Sequence, residues 1–84
     1  MTRQWSECQP LIVAAGRMGE PLGFVWQGRP HRTDEILNRW RVDEGWWAGR
    51  VWREYFKLST TNGLLVIIYH NILTGQWCLE RLYD

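Results

Sequence analysis

Four residues in this chain have side chains suited to nucleophilic or metal chemistry: Cys8, His31, His70 and Cys78. Four such ligands would suffice for a tetrahedral zinc site, yet structural sites are normally clipped by C-x₂-C or H-x₃-H pairs. No clip of that kind is present. The reading favoured here makes Cys78 a small core hydrophobe and leaves both histidines at the surface. Carboxylates pair at Asp34-Glu35 and Asp43-Glu44. Neighbours on a strand point to opposite faces, so neither pair makes an acid/base dyad, and both suit solvated turns. Gly45 and Gly49 flank Trp46-Trp47 without the lysine or spacing of a phosphate loop. The expectation is a protein that is not an enzyme and holds no cofactor or metal.

What remains is the segment from Trp40 to Arg53, with four of the seven tryptophans and three arginines around an expected loop. Tryptophan and arginine dominate binding hot spots because both combine large contact area with a polar handle. Stacked bases are another partner for such a surface, with arginines tracking phosphates. The competing reading puts Trp40, Trp52 and one of Trp46 and Trp47 into the core. Adjacent tryptophans in a strand face opposite ways, which exposes the other one. The candidate binding set is Arg39, Arg41, Trp46, Trp47, Arg50 and Arg53.

These residues need a scaffold, and 84 residues supply one domain. A chain this short buries only about two-thirds of its unfolded surface, so its core must be economical. Seven Trp, three Tyr and two Phe provide that economy. The formal charge of +1 argues against capture of a partner by bulk electrostatics. Between residues 29 and 57, seven cations face five acids, a weak basic bias. The first residues show no basic region followed by an apolar one, and no apolar run is long enough to span a bilayer. A cytoplasmic protein with two reduced thiols is therefore expected, rather than a Cys8–Cys78 bond.

Turn signals recur at short intervals, as in an all-β domain. Asn62-Gly63 suggests a type I′ hairpin, Thr74-Gly75 a longer loop with a left-handed glycine. Further breaks fall at Gly28-Arg29-Pro30, Gly16 and Gly19-Glu20-Pro21. In Val51 to Ser59, Trp52, Phe56 and Leu58 share one face, and Arg53, Tyr55 and Lys57 the other. Leu64 to Tyr69 is apolar on both faces and belongs at the centre. In the last strand Trp77, Leu79, Arg81 and Tyr83 alternate against Cys78, Glu80 and Leu82. Residues 33–43 fit a helix capped by Thr33 or Asp34, but a strand bulged near Asn38 is preferred, with Ile36, Trp40 and Val42 on one face. Residues 1–9 read as a frayed tail and 10–84 as the domain. The fold expected is all-β, or a β-rich α+β arrangement: a curled antiparallel sheet or small barrel of five to six strands.

Several runs together resemble an uncharacterised bacterial domain family. They are Arg39-Trp40-Arg41-Val42-Asp43, Trp46-Trp47, Arg53-Glu54-Tyr55-Phe56, Gly63-Leu64-Leu65 and the stretch from Thr74 to Asp84. Phe24-Val25-Trp26-Gln27-Gly28-Arg29 is similar to the family's aromatic-x-Trp-x-Gly-Arg hairpin. That family occurs free-standing, and as the C-terminal extension of Y-family polymerase-like proteins of the damage-induced mutagenesis cassette. The resemblance spans about residues 20–84. It implies a small β domain linked to translesion DNA synthesis, and supplies no catalytic residue or ligand. His31 and Cys78 depart from it, standing where aromatics are commoner.

The leading expectation is thus a non-catalytic protein-interaction module, contacting a component of a repair polymerase assembly. Single-stranded nucleic-acid binding is the first alternative, and homodimerisation through an open edge or the tryptophan patch the second. Anisotropy of a labelled single-stranded oligonucleotide separates the first two. Nucleic-acid binding predicts micromolar affinity that weakens steeply with salt, whereas the protein-interaction reading predicts no binding even at low salt.

Overall fold

A computed structural model describes residues 2–45 and 49–83. Strands are β1 (Arg3–Ala15), β2 (Pro21–Trp26), β3 (Arg29–Gly45), β4 (Arg50–Thr60), β5 (Leu65–Asn71) and β6 (Trp77–Tyr83). Each pairs antiparallel with the next, and β1 pairs with β6 to close the sheet into a barrel. The fold is all-β at the upper end of the expected strand number, and the α+β option falls away. Residues 33–43 lie wholly within β3.

The alternation in β4 explains how the barrel fills. Phe56 and Leu58 point inward and are fully buried, joined by Val66 and Ile68 of β5 and by Leu79 and Leu82 of β6. Leu11 and Phe24 complete this interior from β1 and β2. The other face of the same strands carries a second cluster of Tyr55, Ile67, Tyr69 and Cys78, with Trp40, Val42 and Tyr83 packed against it. β5 is therefore covered on both sides, as its two-faced apolar sequence requires. Every described tryptophan is half-buried, so none of them forms the interior core expected of Trp40 and Trp52.

Two bulges change which residues share a face. Pairing shifts between Ile36 and Asn38, leaving Leu37 as the extra residue. Because the side-chain period is two, one extra residue moves everything beyond it to the opposite side. Ile36 opposite Leu58 thus faces the core, while Trp40 opposite Tyr55 faces out. The face expected to hold Ile36, Trp40 and Val42 together is split. In β6 the ladder steps from Arg81 opposite Ile67 to Leu79 opposite Ile68, so Glu80 is the extra residue. Leu79 and Leu82 both point inward as a result, and Cys78 and Tyr83 outward.

Turns differ in one place from expectation. Asn62-Gly63 is not the tight type I′ turn, since only Gly63 has positive φ, at 89°. The Thr60 N–H reaches the Leu64 carbonyl at 2.9 Å across a wider loop. The two-residue turn lies instead at Gln27 and Gly28, with φ of 51° and 76°, between the paired Trp26 and Arg29. The loop at Thr74-Gly75 is long, as expected, with Gly75 at φ 79°.

The chain's start is also structured. Residues 3–9, expected to fray, form the first half of β1, with Arg3 and Gln4 paired to Leu82 and Arg81. Closure puts Cys8 beside Cys78, and the two form a disulfide with Cα atoms 5.2 Å apart. The expected pair of reduced thiols is overturned. Seventy residues separate the cysteines, and only ring closure brings them together. Tying so long a loop removes unfolded-state entropy worth about 4 kcal/mol. Reduction, or replacement of both cysteines by serine, should lower unfolding free energy by about that amount in denaturant titrations. Coincident curves with and without reductant would contradict this.

Candidate binding surfaces

β3 and β4 outrun their other neighbours. β2 pairs with β3 only as far as Arg32, and β5 pairs with β4 only from Arg53 onward. From Asn38 opposite Lys57 to Gly45 opposite Arg50 the hairpin pairs without a bulge and forms an arm whose β3 side is an edge. β5 backs β4 from Arg53 to Lys57, so only the tip, residues 43–45 opposite 50–52, is two-stranded. Arg39, Arg41, Asp43, Arg50, Trp52 and Glu54 share the face of the arm that continues the barrel interior. Trp40, Val42, Arg53 and Tyr55 share the other.

The three arginines on the interior-side face are paired within the arm to two carboxylates. Arg39 grips Glu54 with two hydrogen bonds, Nε to Oε2 at 3.1 Å and Nη2 to Oε1 at 3.0 Å. Its Nη2 also donates to the Met18 carbonyl at 2.9 Å, which ties the arm to the β1–β2 turn. Arg41 donates to the same carboxylate at 3.2 Å. Arg50 makes a forked pair with Asp43, at 3.1 and 3.2 Å, while its guanidinium lies 4.4 Å over the Trp52 ring. Arg53 stands apart on the outer face, 4.5 Å over Tyr69, and donates to the Tyr55 hydroxyl at 3.3 Å. Trp40 stacks on Tyr55 at 5.3 Å with rings nearly parallel. Of the six expected site residues, Arg39, Arg41 and Arg50 are brought together and Arg53 is placed elsewhere. Trp46 and Trp47 lie outside the described residues.

No family model, curated protein or solved structure matches the chain. Its function must therefore be argued from its own geometry. Among the described residues no three His, Cys, Asp or Glu side chains converge on a metal-sized site. His70 stacks on Trp77 at 4.5 Å, and His31 on Phe24 at 5.1 Å. His31 is buried, not superficial as expected.

Two features escaped the sequence reading. One is the outer layer in which Arg53 covers Tyr69 and Lys57 and Arg81 lie over Tyr83. Burial raises the Tyr69 phenol above its usual range, against the pull of Arg53. The alternation of β4 held half of this signal, since it placed Arg53, Tyr55 and Lys57 on one side. The other feature is a chain of hydrogen bonds ending at His31, for which no sequence spacing gave a sign.

Glu54 is the charge on which the arm depends. Burial pushes its carboxyl up, but the hydrogen bonds and charges of Arg39 and then Arg41 outweigh this and hold it below the ordinary value. A carboxyl lowered in the folded state contributes stability above its unfolded pKa, near 4.5, and loses it as pH falls through the folded value. Both guanidiniums are substantially exposed, so screening keeps the gain to about 1 kcal/mol. Glu54→Gln should therefore be less stable than wild type by about 1 kcal/mol near neutral pH. The gap should close in acid, as read by thermal melts across a pH series; a gap independent of pH would contradict the pairing.

Proposed function

We propose that this chain is a non-catalytic protein-interaction module that receives an extended segment of its partner along the free edge of β3. The observation that carries this reading is the one-sided pairing of β3. From Thr33 to Gly45 its ladder runs to β4 alone, and the last eight residues form a regular edge. Apart from the Arg39 N–H, which donates to Asn38 Oδ1 at 2.9 Å, an open edge of this kind presents backbone donors and acceptors that a partner strand satisfies by β-addition. Half-buried Trp40 and Val42 and exposed Val51 give such a strand apolar side-chain contacts. Ion pairs with Glu54 and Asp43 offset two of the three charges of Arg39, Arg41 and Arg50, which weakens the arm as a track for phosphates and favours this reading over single-stranded nucleic acid.

By the resemblance to the mutagenesis-cassette family, the partner belongs to a translesion polymerase assembly. A cytoplasmic setting is part of the proposal. It requires the Cys8–Cys78 bond to resist cytosolic reductants, and the near-complete burial of Cys78 supports that by limiting access for thiol exchange. No helix among the described residues is long and apolar enough to cross a membrane.

Proline substitutions at Arg41 and Val42 test the edge. Successive N–H groups in an antiparallel strand alternate between the neighbouring strand and the open side. One proline therefore breaks the ladder to β4, and the other removes only an outward donor. The variant that keeps the wild-type melting temperature should fail to capture partners from cells treated with a DNA-damaging agent. Undiminished capture by that variant would overturn the edge mode. Concentration-dependent sedimentation that the same proline abolishes would replace the partner with a second copy of this chain.

A further inference from the structure

At the end of the barrel opposite the arm, one-directional hydrogen bonds settle the state of a buried imidazole. The Leu64 N–H donates to Thr60 Oγ1 at 3.0 Å, which leaves the Thr60 hydroxyl proton to be given elsewhere. It goes to Asn62 Oδ1. With its oxygen so fixed, the Asn62 amide presents Nδ2–H to His31 Nδ1, at 3.0 Å. Asn62 Oδ1 lies farther from the same nitrogen, at 3.4 Å, so the shorter contact makes His31 Nδ1 the acceptor and assigns the ring proton to Nε2. Stacking on Phe24 holds the ring plane.

That Nε2–H has no hydrogen-bond partner among the described residues, although His31 is only 8% exposed. Among the described residues the enclosed side-chain polar atoms without partners are Thr33 Oγ1 and Arg81 Nε, so the unpaired His31 nitrogen keeps contact with solvent. His31 and Asn62 line a cavity of about 420 Å³ together with Arg3, Arg29, Trp26 and Leu64. The volume suits a small ligand. Arg29 stands opposite Trp26 in the β2–β3 ladder, and the Arg3 guanidinium lies 5.9 Å from the Trp26 ring. Two guanidiniums and an oriented imidazole N–H supply donors, the Gln27 and Asn62 amides supply both donors and acceptors, and an indole and two leucines flank them.

We propose that this cavity binds a small organic carboxylate carrying an aromatic body. The carboxylate takes the His31 Nε2–H together with the guanidinium of Arg29 or Arg3, and the ring lies along Trp26 and Leu64. A carboxylate fits because it accepts a forked guanidinium pair and still offers a lone pair to a third donor. An uncharged alcohol of the same shape forfeits the charge-assisted bonds, and inorganic phosphate forfeits the apolar contact. The site lies apart from the β3 edge and does not depend on a protein partner being taken there.

Phenylacetate is the probe, titrated into ¹⁵N-labelled protein and followed by backbone and imidazole nitrogen shifts. The free protein should show the Nε2–H tautomer at His31. Phenylacetate should shift His31, Trp26 and Arg29 saturably in the millimolar range or below, with phenylethanol and inorganic phosphate each at least tenfold weaker. His31→Phe retains stacking on Phe24 and removes the donor, and should weaken phenylacetate about tenfold or more with an unchanged melting temperature. Should that variant be unstable, Thr60→Val, which interrupts the relay one step back, should release the tautomer and lower affinity in parallel. Equal binding of phosphate, equal binding by folded His31→Phe, or no shift at His31 would each overturn the proposal.

Discussion

Closing a single antiparallel sheet on itself is the constraint from which the rest of this structure follows. Among the described residues of this 84-residue chain there is one layer, with no second sheet or helix to cover the outside of the barrel. The interior can be filled by a few aliphatic side chains and two phenylalanines, which is what Phe56, Leu58, Ile68 and Leu79 begin and Phe24 completes. Closure also brings the first strand against the last. The Cys8–Cys78 bond sits at that seam, where β1 carries a wide irregularity between Gln4 and Gln9 and its backbone pairing is weakest. A covalent tie there substitutes for missing ladder bonds.

The outer face poses the harder problem, because β5 is apolar on that side too. Ile67 and Tyr69 are both buried although nothing from another layer lies over them. They are screened by long side chains folded flat on the sheet: Arg53 across Tyr69, Lys57 and Arg81 across Tyr83, and Trp40 across Tyr55. Long cationic side chains can bury their stems over apolar surface while the charged heads stay in water. Cation–π contact adds about 0.5–2 kcal/mol per pair, depending on desolvation. The abundance of tyrosine, tryptophan and arginine in this short chain is explained first by this layer and only second by binding.

Much of the fold was legible because period-two alternation survives wherever pairing is regular. β4 shows this plainly, since Trp52, Phe56 and Leu58 and their opposites Arg53, Tyr55 and Lys57 lie on the faces their sequence indicates. Legibility fails at bulges. A bulge near Asn38 is expected from the sequence and found at Leu37, but its effect of splitting Ile36 from Trp40 is not expected. Nothing in Leu-Glu-Arg around Glu80 says that one residue must be skipped, because the skip is imposed by how far a closed sheet has to coil. The disulfide and the His31 relay fail for a related reason. Both join residues far apart in sequence, 70 apart for the cysteines and 31 for His31 and Asn62. Asn62 shows the cost of a local reading: its turn signal is real, but its side chain serves the histidine, and the loop is wider than the dipeptide alone suggests.

Unequal strand lengths link the fold to the surface it offers. β2 has 6 residues and β3 has 17, so β2 can shadow only the beginning of β3. The bulge at Leu37 then interrupts the ladder, and just beyond it the Arg39–Met18 hydrogen bond ties β3 to the β1–β2 turn. The free edge is therefore a product of the same geometry that closes the barrel. Lengthening β2 to cover it would require a second coil of equal size in a chain with no residues to spare. Natural sheets usually blunt such an edge with inward charge, proline or a covering loop. Between Asn38 and Gly45 there is no proline; Arg39, Arg41 and Asp43 do put charge on the interior-side face, but each is held in an ion pair across the hairpin. An edge left regular and flanked by aromatic surface is suited to being paired rather than to standing alone.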